Sequence, residues 1–118
     1  MKAAAALREA HEEVGLAGAL STPQGYLDPF VTITGFHVYP VVARVSGAYL
    51  PRLDPSEVAE AFEVPLEFLL DPGNAHAVEV DWQGRRRRIH EFSFGGHRIW
   101  GATASMLVNF RERLEQHA

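Results

Sequence analysis

The chain has 118 residues, 47% of them hydrophobic and 22% charged, with a net charge of −4 and a pI near 5.8. That is the size of one domain able to build its own core, and the composition excludes disordered, collagen-like and membrane-spanning classes. The absence of cysteine excludes disulfides, zinc-thiolate sites and cysteine nucleophiles, and the acidic balance argues against a surface that wraps nucleic acid.

In chain order, residues 2 to about 14 predict a helix, because Ala, Leu, Arg and Glu dominate and no proline interrupts them. Gly15 supplies a left-handed cap at its end. Residues 17–29 contain Gly18, Pro23, Gly25 and Pro29 and read as a surface loop. Residues 31–45 are rich in β-branched and aromatic side chains. Their alternation shifts phase near Gly35, which predicts two strand segments joined at a bulge or bend. Pro40 cannot donate to a ladder and marks an edge or an irregularity.

Asp54 and Pro55 open a second helix, with Asp54 as N-cap and Glu57 three positions on. The apolar run that follows must stop at Asp71-Pro72-Gly73. Residues 77–81 and 86–94 predict a hairpin closed around Trp82-Gln83-Gly84. Residues 99–116 predict a last helix, apolar at Ile99, Ala102, Met106, Val108, Phe110 and Leu114, with Trp100 and Phe110 in the core. This order of helix, strands, helix, hairpin and helix predicts an α+β fold with a sheet packed between helices. No repeat or linker divides the chain, so residues 1–118 read as a single domain. No secretory leader or bilayer-length apolar run occurs, which sets the expectation of a cytoplasmic protein with no membrane partner.

The chemistry concentrates in residues 8–16, R-E-A-H-E-E-V-G-L. On a helix, Glu9, Glu12 and Glu13 fall within an arc of about 100°, away from Ala3, Leu7, Ala10 and Val14. Like charges at these spacings cost about 0.2–0.5 kcal/mol per pair, and acids in the last turn meet the negative end of the helix dipole. Two arrangements offset the repulsion: a solvated acidic face with arginine nearby, or a divalent cation held by carboxylate oxygens. The second suits Mg²⁺ or Mn²⁺, completed by water and phosphate oxygens.

This string matches every specified position in the second half of the Nudix box, G-x5-E-x7-R-E-U-x-E-E-x-G-U with U apolar, and the chain resembles the Nudix hydrolase family. The stretches L-D-P-F-V-T-I-T-G-F-H-V-Y-P-V-V-A, E-V-A-E-A-F-E-V-P-L-E-F-L-L and I-W-G-A-T-A-S-M-L look like the coenzyme A pyrophosphatase branch. The resemblance implies an α/β/α sandwich around a mixed sheet. It also implies hydrolysis of a diphosphate linkage in a nucleoside diphosphate derivative. In coenzyme A the products would be 3′,5′-ADP and 4′-phosphopantetheine. Glu9, Glu12 and Glu13 match the metal-holding glutamates, with Glu9 or Glu12 as the alternative proton acceptor. Arg8 is expected to orient a glutamate through paired hydrogen bonds. ADP-ribose or another nucleoside diphosphate is the alternative substrate, and a catalytically silent binding or assembly module the alternative function.

Counted back from Arg8, the first glutamate and the glycine of the box fall before Met1. The expectation is therefore a domain truncated within the box and lacking the first strands of the complete fold. Edges left open by such a loss favour association, and a homodimer is the expected form. Outside the box, Glu57 reads either as an extra metal-site acid or as the capping partner of Asp54. Arg85 to Arg88 would send two side chains to each face of a strand, either toward the 3′-phosphate of coenzyme A or as a soluble hairpin edge. His11, His37, His76, His90, His97 and His117 show no metal-ligand spacing.

Overall fold

The computed structural model describes residues 6, 8–10, 12–13, 15–16, 21–32, 34–47, 52–56 and 62–116. The chain forms two compact units, Met1–Glu63 and Val64–Ala118, taken here in turn.

In the first unit, residues 6, 8–10, 12 and 13 are helical, as expected from their composition. The helix ends at Gly15, whose φ of +72° lies in the left-handed region open to glycine. The chain then folds back, so that the Leu16 N–H donates to the Ala10 carbonyl at 3.3 Å and Leu16 is buried.

Strand β1 (Ser21–Tyr26) pairs antiparallel with β4 (Val41–Val45). This corrects the loop expected over residues 17–29. The turn-forming residues Pro23 and Gly25 are tolerated because the register shifts between them, leaving Gln24 outside the pairing. Between these strands, β2 (Phe30–Val31) and β3 (His37–Val38) form a second antiparallel pair. Of the two forms expected, the phase change near Gly35 is the bend, a tight turn. The Gly35 N–H donates to the Thr32 carbonyl at 2.9 Å, and the Thr32 N–H to the Phe36 carbonyl at 2.8 Å. The Thr32 hydroxyl accepts from the Phe36 N–H at 3.0 Å. Pro40 lies in an irregular link, buried, with its carbonyl accepting from the Leu27 N–H at 3.0 Å. Pro55 and Ser56 form a turn after Asp54; of the helix predicted there, Glu57 and the residues up to 61 lie outside the described residues, and residues 62–65 are not helical.

The second unit opens with helix α1 (Leu66–Leu70). It stops where Asp71-Pro72-Gly73 requires, because the Asp71 carboxylate accepts from the Gly73 N–H at 2.8 Å and starts a 3₁₀ turn, Pro72–Asn74. Strands β5 (His76–Trp82), β6 (Arg85–Phe94) and β7 (His97–Trp100) then form an antiparallel sheet in that order. Gln83 and Gly84, with φ of 49° and 75°, make the two-residue primed turn that matches strand twist. Trp82 therefore belongs to the strand, opposite Arg85, and is not a turn residue.

Gly95-Gly96 close a second hairpin that the sequence reading did not anticipate. Ile99 and Trp100 are strand residues, and the last helix, α2 (Gly101–Gln116), begins after them. Strand alternation puts Ile99 and Trp100 on opposite faces. Ile99 packs with the core and Trp100 is 56% exposed, which corrects its expected burial. Helix α2 lays Ala104 and Val108 against the fully buried Phe92, and Phe68, Leu69, Ala75, Ile99 and Leu107 surround them. The Phe68 and Phe94 rings meet edge to face, 5.0 Å between centroids. Phe110 is half-buried.

Helices and sheets are mixed as an α+β chain requires. Where one mixed sheet was expected, every ladder among the described residues is antiparallel. None of the described helices is long and apolar enough to cross a membrane.

Candidate functional site

The acidic string lies on the first helix of the first unit. Arg8, Glu9 and Glu12 are exposed, Ala10 and Glu13 half-buried, and all five are helical. Glu9 and Glu12 in solvent and the half-buried Ala10 follow the amphipathic division expected from their spacing, whereas Glu13, expected on the acidic side, is half-buried as well.

What fixes the end of this helix is a segment distant in sequence. The Asp54 N–H donates to the Glu13 carbonyl at 2.7 Å, satisfying one of the last-turn acceptors that an α-helix leaves open. Arg52 passes so close that a Cβ on Gly15 would stand 2.6 Å from the Arg52 Cβ and 3.0 Å from its carbonyl oxygen. Only a residue without a side chain admits that approach. Asp54 is itself held: its carboxylate accepts from the Ser56 hydroxyl at 2.7 Å and from the Ser56 N–H at 3.0 Å. These two bonds, the hydroxyl's foremost, hold the Asp54 carboxyl below the usual carboxylate range. Asp54 bonds as an N-cap would, and its backbone also ties this turn to the acidic helix. The docking was not legible in the sequence, because neither Arg52 nor Asp54 stands near the helix along the chain.

The carboxylates of Glu9, Glu12 and Glu13 supply the hard oxygen donors that Mg²⁺ and Mn²⁺ favour. Among the described residues, however, no three acidic or histidine side chains are gathered around a common point. The fit to a divalent ion rests on donor chemistry and on helical spacing. Arg8 makes no hydrogen bond or ion pair among the described residues. Glu57 and His11 lie outside the described residues.

Arg85 to Arg88 are all exposed on β6, opposite Trp82, Asp81, Val80 and Glu79. Arg86 pairs with Glu79 at 3.2 Å and reaches Asp81 at 4.0 Å. On the opposite face of the sheet, the Arg98 guanidinium donates to Glu91 at 2.6 Å and lies 4.9 Å from the centroid of the Trp100 ring. This corner was missed because Gly95-Gly96, a two-glycine turn between apolar strands, was not read as a hairpin.

No family model matches the chain. Among curated proteins, Nudix hydrolase NudL of Photorhabdus laumondii is 32% identical over 112 residues, 95% of this chain and 60% of that protein. Nudix hydrolase 22 of Arabidopsis thaliana, named as chloroplastic, is 34% identical over 109 residues, 87% of this chain and 36% of that protein. Nudix hydrolase NudL of Salmonella paratyphi B is 36% identical over 104 residues, 88% of this chain and 54% of that protein. The chain thus spans between about a third and three fifths of the relatives it matches. These homologues, each named a Nudix hydrolase and each similar across most of this chain, support its placement in the Nudix family.

Proposed function

We propose that this chain carries the metal-binding helix of a Nudix pyrophosphohydrolase that cleaves a diphosphate linkage in a nucleoside diphosphate derivative, with coenzyme A as substrate. The observation that carries the reading is the nine-residue string of residues 8–16, which supplies three carboxylates on one helix that stops at the left-handed Gly15. Glu9, Glu12 and Glu13 would hold Mg²⁺ or Mn²⁺. Such an ion, when bound, neutralises charge on the diphosphate oxygens and lowers the pKa of water.

The chain's own part is to position and to accept. Glu9 or Glu12, both open to solvent, takes the proton of the attacking water as its oxygen bonds to phosphorus. The bond from that phosphorus to the bridging oxygen breaks, and the bridging oxygen leaves with the other phosphate. From coenzyme A this yields 3′,5′-ADP and 4′-phosphopantetheine. Arg8 orients a glutamate once the site is loaded.

The test is incubation of the purified chain with coenzyme A and Mg²⁺ or Mn²⁺, with separation of nucleotides by chromatography and ADP-ribose in a parallel arm. The expected result is 3′,5′-ADP, lost in Glu9→Gln and Glu12→Gln. Turnover untouched by these substitutions would overturn the assigned residues, and faster turnover of ADP-ribose would overturn the substrate. A second reading, a silent binding module, is favoured by the lack of a gathered carboxylate trio among the described residues; it predicts no product from either substrate while metal still raises the melting temperature.

A further inference from the structure

Among the described residues, the hairpin of β5 and β6 has two open edges of opposite charge. Strand β7 pairs only with residues 91–94 of β6, so residues 85–90 have no strand on their outer side among the described residues. In an antiparallel hairpin with a two-residue turn, the residues flanking the turn face each other and exchange hydrogen bonds, and alternate residues point their backbone groups outward. The Gln83-Gly84 turn therefore directs Arg85, Arg87 and Ile89 inward to β5, and Arg86, Arg88 and His90 outward. The Gly95-Gly96 turn gives the same assignment independently, since Phe94 and Phe92 face β7 opposite His97 and Ile99. By the same rule β5 directs Ala77, Glu79 and Asp81 outward on its own free edge.

One edge thus presents the backbone of Arg86 and Arg88, the other that of Glu79 and Asp81. All four side chains lie on one face of the sheet and are exposed. Arg86 already has Glu79 and Asp81 as partners. Arg88 has no ion-pair partner among the described residues, although Glu79 stands opposite it in the ladder.

We propose that the β6 edge of one copy receives the β5 edge of a second copy, extending the sheet. The six open residues of β6, 85–90, match the six residues 77–82 of the incoming strand, beyond which β7 blocks the way. Aligned antiparallel, the new ladder sets Glu79 against Arg88 and Asp81 against Arg86, the register of the hairpin itself, with each pair exchanging backbone hydrogen bonds. Pairing of β6 with β6 would instead oppose arginines, and β5 with β5 carboxylates, so like edges repel. The contact is head to tail, and it propagates unless the rotation closes.

Proline separates this from nonspecific association, because the Arg88 and Glu79 N–H groups point outward and take no part in the hairpin ladder. By sedimentation velocity, the unsubstituted chain should grow beyond dimer as concentration rises. Raising NaCl from about 0.05 M to about 0.5 M should weaken this at least about threefold. Arg88→Pro and Glu79→Pro should each be monomeric, with circular dichroism confirming the fold, whereas their equimolar mixture should form a dimer and go no further. A monomeric unsubstituted chain, association indifferent to salt, single variants that assemble normally, or a folded mixture that forms no dimer would each overturn the proposal.

Discussion

Replacing Gly15 by alanine should be among the most damaging single changes in the first unit, although it adds one methyl group. Two costs combine. An L-residue forced to φ +72° pays about 1 kcal/mol for its backbone conformation. The new Cβ would also sit 2.6 Å from the Arg52 Cβ and 3.0 Å from the Arg52 carbonyl oxygen, and relief of such overpacking costs about 1–3 kcal/mol. The sum, about 2–4 kcal/mol, corresponds to a fall in melting temperature of about 8–16 °C for a chain of this size. Urea denaturation followed by circular dichroism measures it directly. Combining Gly15→Ala with Arg52→Gly removes the nearest clashing atom and should return about 1 kcal/mol as a coupling term. A Gly15→Ala variant within about 1 kcal/mol of the parent chain, or a double variant with no coupling, would refute the close approach described here.

Further outcomes follow from other parts of the molecule. Phe92→Ala empties the only fully buried large side chain among the described residues and should cost about 3–5 kcal/mol, read by the same denaturation. Gly84→Ala places a methyl at φ 75° in the hairpin turn and should cost about 1 kcal/mol, with no effect on turnover. Because the Asp54 carboxyl titrates below its ordinary range when folded, its contribution to stability is present above the unfolded pKa and disappears as pH falls through the folded one. Ser56→Ala removes the stronger of the two bonds responsible, so a carboxyl-carbon NMR titration should show Asp54 moving up toward the ordinary range. An unmoved titration would contradict the assignment.

Local signals in the sequence identified the elements whose limits are set locally. The acidic helix and its glycine stop, the break at Asp71-Pro72-Gly73, and the hairpin after residue 76 all follow from propensity and turn chemistry, and the structure shows them. Strand β1 was not legible, because Pro23 and Gly25 signal a loop while a register shift against β4 absorbs them. Residues 97–100 went astray for a related reason. Ile99 is apolar at a position that satisfies helical and strand periods alike, and only the pairing across Gly95-Gly96 decides between them. At the candidate site, residue types and spacing were readable and their support was not. The bond from Asp54 to Glu13 and the passage of Arg52 over Gly15 join segments that share no sequence pattern.

The chain's two tryptophans, Trp82 and Trp100, both fall in Val64–Ala118, while the glutamate-bearing helix falls in Met1–Glu63. Intrinsic indole emission is consequently a reporter of the second unit alone. A variant that unravels the glutamate helix without disturbing the β5–β7 sheet would look native in that channel. Following tyrosine or backbone signals alongside it turns this asymmetry into an internal control, separating damage to the chemistry-bearing unit from collapse of the whole chain.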